Sequence, residues 1–439
     1  MKFSSVPYGL FINKFTSSWH LLLSLLFGFL IPLSVVAVSE EYWTLSTTID
    51  RMQEQAPELR AAEADVNSSR FGLEKSGTWE NPTLEIEASN AMGIDDGEGG
   101  YDPTRFAITQ ALGFANKSRQ KDVAESEHKS KISQYRYQTL IVQNKAAHLF
   151  YDLQLTQANY QLANERLHLA DALLNSNPSD PLVRYLHPAE KVRLSILREQ
   201  AQQALMDAKF SWDAAQFSFR ATLNLPEQKT LLLAELKELP AKPQLQNKDE
   251  VLNSHPELLS ANYEREAAQK RIALAKAESL NAPELTLYQE RDYLAGAREN
   301  ISGIALSLQV PIWNSSKNSS AKASADYERA SAEYISLQRN LQMDVELQQK
   351  KLTQLIETTQ RFRTQMLEPT EKLLGITRRS FASGEADVLS LVDANNSYFE
   401  ARADYLVLLH NTWLTAADLK LAAGISLVTE DEQISGEKP

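Results

Sequence analysis

Cysteine is absent from all 439 residues. That excludes a disulfide framework, a cysteine-ligated zinc or iron–sulfur site, a cysteine nucleophile and a lipid anchor on cysteine. Helix breakers are scarce, with 15 glycines and 16 prolines, glycine standing at about half its usual ~7% share. Scarce breakers and modest aromatic content point to long, uninterrupted helices. Excess positive charge is also missing. At a net −12 the chain lacks the basic face of a general nucleic-acid binder, so nucleic acid is excluded as a partner. Enzyme signatures are missing too. The seven histidines include no metalloprotease zinc pair, and no nucleophile elbow or phosphate loop occurs. His128, His148 and His168 fall 20 residues apart, about 5.6 helical turns, so successive rings leave different faces and share no metal. No cofactor and no catalysis is expected.

Long hydrophobic runs are confined to the start. Residues 1–39 carry only Lys2 and Lys14, leaving −14 on the remainder. The run LLLSLLFGFLIPLSVVAV follows His20, and Ala37 and Ser39 precede Glu40. A basic start, an apolar middle and a small-residue exit form a secretory signal peptide over 1–39. Pro32 and the polar sequence beyond it favour cleavage over a membrane anchor.

The remaining chain repeats itself. Pro57-Glu58-Leu59 returns as Pro256-Glu257-Leu258, and Gln110 as Gln309, each displaced by 199 residues. NPTLEIEAS from Asn81 pairs with APELTLYQE from Ala282. We therefore read a first repeat within 40–225, an equatorial linker at 226–255, a second repeat at 256–424 and a polar tail at 425–439. Each repeat opens with a short helix and continues into two strands of period two. The strands are placed at about 83–90 and 105–112, then 284–290 and 303–310. Their apolar sides are Leu84, Ile86, Phe106 and Ile108 in the first repeat, and Leu285, Leu287, Ile304, Leu306 and Leu308 in the second. Tyr101, Phe114, Tyr288, Tyr293 and Trp313 fall near the strand ends, where a membrane barrel carries its aromatic girdles.

Long helices follow, at about 116–177 and about 312–377. Between Asn116 and Asn177 lie 62 residues without Gly or Pro, roughly 90 Å of helix, with a heptad seam through Val142, Ala146, Leu149 and Leu153. Shorter helices of 37 and 39 residues return at 189–225 and 385–423. Short helices stacked end to end then match each long one. Four strands cannot close a barrel and open edges are intolerable in lipid. Closure therefore requires several copies.

HPELLSANYEREAA, LSLQVPIWNSSK and SFASGEADVLSLVDANNSYFEARADYL, together with the duplicated order, resemble the TolC family of outer-membrane efflux proteins. The resemblance covers nearly all of the exported chain. It implies a mainly α protein with a small β part: a trimeric 12-stranded outer-membrane β-barrel continuous with a long periplasmic α-helical barrel. Its partners would be two further copies of the chain, outer-membrane lipid, a periplasmic adaptor and an inner-membrane pump, the pump being of the resistance-nodulation-division type. Energy enters at the pump. Within the family the chain looks most like the heavy-metal efflux subgroup, with a multidrug or type I secretion channel as the competing reading. A periplasmic structural coiled-coil protein is the reading from a different class. Matched onto this chain, the family's gate carboxylates fall on Asp393 and on Ser390, which departs from the pattern. Asp387, one turn nearer the tip, could supply a second ring or cap its helix. Gly384, Arg184 and His187 are placed at the periplasmic tips, where an adaptor would make contact.

Overall fold

The computed structural model describes residues 41–89, 102–174, 187–227, 231–239, 252–278, 282–294, 297–310 and 316–428. The chain divides into Met1–Glu40 and Glu41–Pro439. The signal-peptide reading falls on the first unit, outside the described residues, and everything below concerns the second.

Long α-helices and one small sheet make up most of it. Strand β1 (Glu41–Trp43) leads into α1 (Leu45–Gln55) and α2 (Pro57–Ser76). A hairpin of β2 (Thr83–Ser89) and β3 (Asp102–Ala111) precedes α3 (Phe114–Leu174), which has 61 residues. The chain returns as α4 (Pro188–Leu223) and crosses the equator through β4 (Leu231–Leu233). The order then repeats: α5 (Pro256–Ala277), β5 (Glu284–Leu294), β6 (Ala297–Ser307) and α6 (Ser316–Phe362). A π-helical turn (Arg363–Leu367) joins α6 to α7 (Glu368–Ala382), and α8 (Val388–Ala422) returns. The mainly α, duplicated fold class is the one read from the sequence.

Helix α3 is the backbone of the body. Its first half packs antiparallel to α5, through Ser130–Ser260 at 2.9 Å and Lys270–Ser126 at 2.7 Å. His128 also meets Ser69 of α2 there, at 2.8 Å. Its second half packs on α4 and α8, through Arg198–Asp171 at 2.9 Å and Arg166–Asn396 at 2.7 Å. Of the expected seam, Val142, Ala146 and Leu153 are buried. The short helices meet end to end at the equator. Asn224, closing α4, bonds Gln55 just before α2, and Gly424, closing α8, lies against His255 and Pro256 at the start of α5.

Three features depart from the sequence reading. An unbroken second long helix was expected; instead the helix runs past Pro369 to Ala382 by opening the π turn. Proline has no N–H and its ring clashes with the carbonyl four residues back. The Glu368 N–H bonds the Arg363 carbonyl five residues back, widening the ladder just before the ring arrives. The second departure is α1 with the parallel β1–β4 pair, which has no counterpart in the expected elements. That pair shelters a core in which Trp43 meets Phe219 edge-on at 5.3 Å, with Leu153, Leu223, Leu231 and Leu233 around it. Third, Leu308 lies just beyond the end of β6 rather than within it.

Candidate functional site

The first candidate surface is the sheet, of order β2-β3-β5-β6 and antiparallel throughout. Register places Leu84 opposite Ile108, Ile108 opposite Leu287, and Leu287 opposite Ile304. Ile86 faces Phe106 and Leu285 faces Leu306 in the same way. Period-two alternation thus gathers the apolar residues of all four strands on one face. That face is bare: Ile304 is 74% exposed, and Leu84, Ile86, Phe106, Ile108, Leu287, Leu306 and Leu308 are all exposed, with Leu285 half-buried. Among the described residues β2 and β6 are the edges of the sheet.

The opposite face is polar. The Thr109 and Thr286 hydroxyls share a 2.9 Å hydrogen bond, and the Arg105 guanidinium lies 5.0 Å over the ring of Tyr288. Tyr288 covers Gly303 so closely that a Cβ there would stand 2.4 Å from its ring. Tyr288 therefore sits on this polar face rather than in an aromatic girdle, because it alternates with Leu287. Tyr101 and Trp313 lie outside the described residues.

The second candidate is the turn between α7 and α8. Gly384 adopts φ +78°, a left-handed conformation that a Cβ disfavours. The Glu385 N–H then reaches the Ser380 carbonyl at 2.8 Å and closes the end of α7. Asp387 is the N-cap of α8, its Oδ1 accepting from the Ser390 N–H at 2.8 Å. The Ser390 hydroxyl and N–H, with Arg193 nearby, hold the Asp387 carboxyl below its usual value. Asp393 and Ser390 are exposed on α8, above a buried row of Val388, Leu391 and Ala394. His187 caps α4: its own N–H donates to Glu190 Oε2 at 2.8 Å, and its ring accepts from the Ala189 N–H. Arg184 lies outside the described residues.

Residues 248–424, the second repeat, match the model of the family described as outer membrane efflux protein. Over that repeat the chain is similar to the outer membrane efflux proteins. Solved channels share its fold. CusC superposes with a TM-score of 0.73 at 17% identity, covering 87% of this chain and 92% of that one. The MtrE outer membrane channel of Neisseria gonorrhoeae gives 0.72 at 18% identity, covering 87% and 89%. The CmeC outer membrane channel of Campylobacter jejuni gives 0.69 at 13%, covering 89% and 88%. A curated relative, the cobalt-zinc-cadmium resistance protein CzcC of Cupriavidus metallidurans, is 19% identical over 240 residues, 54% of this chain. The match spans 57% of that relative's length. The family is one of outer-membrane channels rather than enzymes.

No described helix is long and apolar enough to cross a membrane, and no described acid or histidine cluster could hold a metal ion. His148 instead pairs with Asp418 at 2.8 Å, and His410 with Asp152 at 2.7 Å, both across the α3–α8 seam. Asp418 raises the pKa of His148.

The equatorial strap is a polar centre that the sequence reading did not single out. Residues 234–239 run from β4 across both repeats. The Ala234 carbonyl accepts from Gln154 of α3 at 3.0 Å, and the Lys237 carbonyl from Trp413 of α8 at 2.7 Å. Glu238 takes Arg363 of the π turn at 3.0 and 2.9 Å and also accepts from the hydroxyl of Tyr405. Burial, then the Glu238 carboxylate, push the Tyr405 phenol well above its usual pKa. A proline inside an otherwise helical run was the sequence signal pointing to this place.

Proposed function

We propose that three copies of the chain close a 12-stranded barrel in the outer membrane above an α-helical periplasmic tunnel. The assembly conducts substrate outward from an inner-membrane pump and a periplasmic adaptor. The observation that carries this reading is the sheet with one largely apolar exposed face and, among the described residues, two open edges. Such a surface is stable only where lipid covers the face and further strands close the edges. The apolar side chains Leu84, Ile86, Phe106, Ile108, Leu285, Leu287, Ile304, Leu306 and Leu308 face lipid.

The lower end is the gate. Asp393 from each copy forms a carboxylate ring near the threefold axis, with Ser390 on the tunnel side. Asp387 keeps the tip of α8 wound by capping it and adds its remaining oxygen to the same surface. A ring of this kind favours cations. The tips around Gly384, Arg184 and His187 receive the adaptor. Metal cations are the cargo, a reading supported by the likeness to the cobalt-zinc-cadmium resistance protein, and the pump is of the resistance-nodulation-division type.

Planar-bilayer recordings on the purified protein test the channel. Discrete conductance with a cation-selective reversal potential is expected, and Asp393→Ala weakens that selectivity. A protein that never conducts, or is recovered in the soluble periplasm, would sink the channel. Challenge of a deletion strain with copper, zinc, cobalt and detergents tests the cargo; sensitivity confined to detergents would overturn the metal reading.

A further inference from the structure

We propose that Glu238 is a positioning residue for the gate, pinning through Arg363 and Tyr405 the π turn on which the α7–α8 hairpin bends. The inference rests on the channel reading above and names the place where movement begins.

The two repeats differ at this level. On the first, the strap meets α3 inside 61 uninterrupted helical residues, through the Gln154–Ala234 bond and the packing of Leu236 on the core around Leu153. On the second, it meets the π turn, where the ladder has slipped to i−5 ahead of Pro369. A π turn followed by proline has lost the regular bonds that stiffen a helix, so bending concentrates there. Glu238 joins that turn to the facing helix, with both carboxylate oxygens on Arg363 and one also receiving Tyr405.

Contacts continue above and below the turn. Above it, Thr359 and Thr412 bond in a buried contact, and Leu352 packs on Ala416 and Leu419. Also above, His410–Asp152 ties α8 to α3. Below it, α7 and α8 pack as a pair through Leu374, Ala394 and Tyr398. Leu162 of α3 joins that cluster, Val392 of α8 packs on Ala170 and Leu197, and polar contacts add Arg166 to Asn396 and Arg402 to Glu165 at 3.8 Å. A bend at Arg363–Leu367, where the ladder has slipped, carries the lower hairpin across α3 and α4 while its upper part stays fixed. Glu238 resists that swing through a charged contact in which its two oxygens share the Arg363 Nη1, a charge-assisted hydrogen bond.

The test uses purified full-length protein in planar bilayers, recording open and closed dwell times for wild type, Glu238→Gln, Tyr405→Phe and Pro369→Ala. Glu238→Gln is expected to raise the open-to-closed ratio roughly tenfold, the scale of one charged hydrogen bond. Tyr405→Phe, which removes a single hydroxyl, shifts it the same way by a smaller factor. Pro369→Ala restores an N–H to the ladder and lowers the ratio. The charge-exchanged pair Glu238→Arg with Arg363→Glu returns gating towards wild type, a rescue that general loosening of the fold would not give. Conducting variants whose dwell times all match wild type would overturn the inference. A wild-type protein that never conducts would instead overturn the channel reading.

Discussion

Where α4 ends at Asn224 and α2 begins at Pro57, the first repeat places the small Ala56; where α8 ends at Gly424 and α5 begins at Pro256, the second places the ring of His255. Both helix ends use the same device, a left-handed residue at φ 52° and 68°. In each, the next N–H reaches back to a carbonyl five residues earlier, Leu225 to Arg220 and Ile425 to Lys420, both at 2.9 Å. The difference lies in filling. Asn224 has room for a side chain that bonds Gln55. At Gly424 a Cβ would stand 2.7 Å from the His255 ring and 2.9 Å from Pro256. One joint gives its volume to the residue that ends the helix, the other to the residue that starts the next. A duplicated fold thus keeps its backbone while exchanging which side chain fills a shared space.

The largest effect that would probe this comparison is expected at Phe219, the fully buried anchor of the first repeat's core. Phe219→Ala should cost about 4 kcal/mol, read as a loss of chemical-denaturation midpoint. An unchanged midpoint would show that the equatorial core is not shared as described. Gly424→Val comes next, adding a strained φ and a clash at one stroke, for roughly 3 kcal/mol. Pairing it with His255→Ala should recover part of that loss, because the ring is what the new side chain meets. No recovery would mean that the two residues do not share space.

The third effect depends on pH. His255 is buried against Tyr137, with ring centroids 5.6 Å apart, and neither ring nitrogen makes a hydrogen bond of good geometry. Burial lowers its pKa, the Leu421 carbonyl opposing part of that shift. Tyr137 in turn is pushed up to about 12, mainly by burial and by Glu257 beside it, and burial raises Glu257 itself. Below the unfolded His255 value of 6.5 the unfolded chain takes a proton that the folded chain refuses. Stability then falls with pH by up to ~1.4 kcal/mol per unit. His148 works the other way. Its raised pKa adds stability below the unfolded value that is lost as pH rises through the folded one. His148→Gln should therefore steepen the acid loss and His255→Gln flatten it, measured as denaturation midpoints between pH 5 and 8. Parallel curves for both variants would refute the assignment. The smallest effect is Asn224→Gly, which keeps the left-handed end and loses one long bond, so its midpoint should move by less than about 0.5 kcal/mol.

Much of the fold was legible because its signals are local and periodic. The period-two strands brought Leu84, Ile108, Leu287 and Ile304 to one face through pairing alone, and breaker-free runs announced α3. Tyr288 was misread because nearness to a strand end says nothing about parity, and parity sets the face. The second long helix was read as unbroken through Pro369, whereas the ring's clash with the ladder is relieved by a π turn that no local spacing announces. Asp387 could be read as gate or cap from its position at the start of a helix; its bond to Ser390 is a matter of backbone geometry.

The sequence by itself determined the repeat, the length of α3, the apolar stripe of each strand and the absence of any thiol chemistry, since these depend on residue type and spacing along the chain. Only the tertiary structure decided that β1 pairs with β4, that His255 fills the space Gly424 leaves, and that Glu238 reaches Arg363 across 125 residues. Such contacts join segments whose local propensities carry no record of one another. They form because burying Trp43, Phe219 and Leu223 together lowers the free energy of the whole chain, and no short stretch of sequence contains that sum.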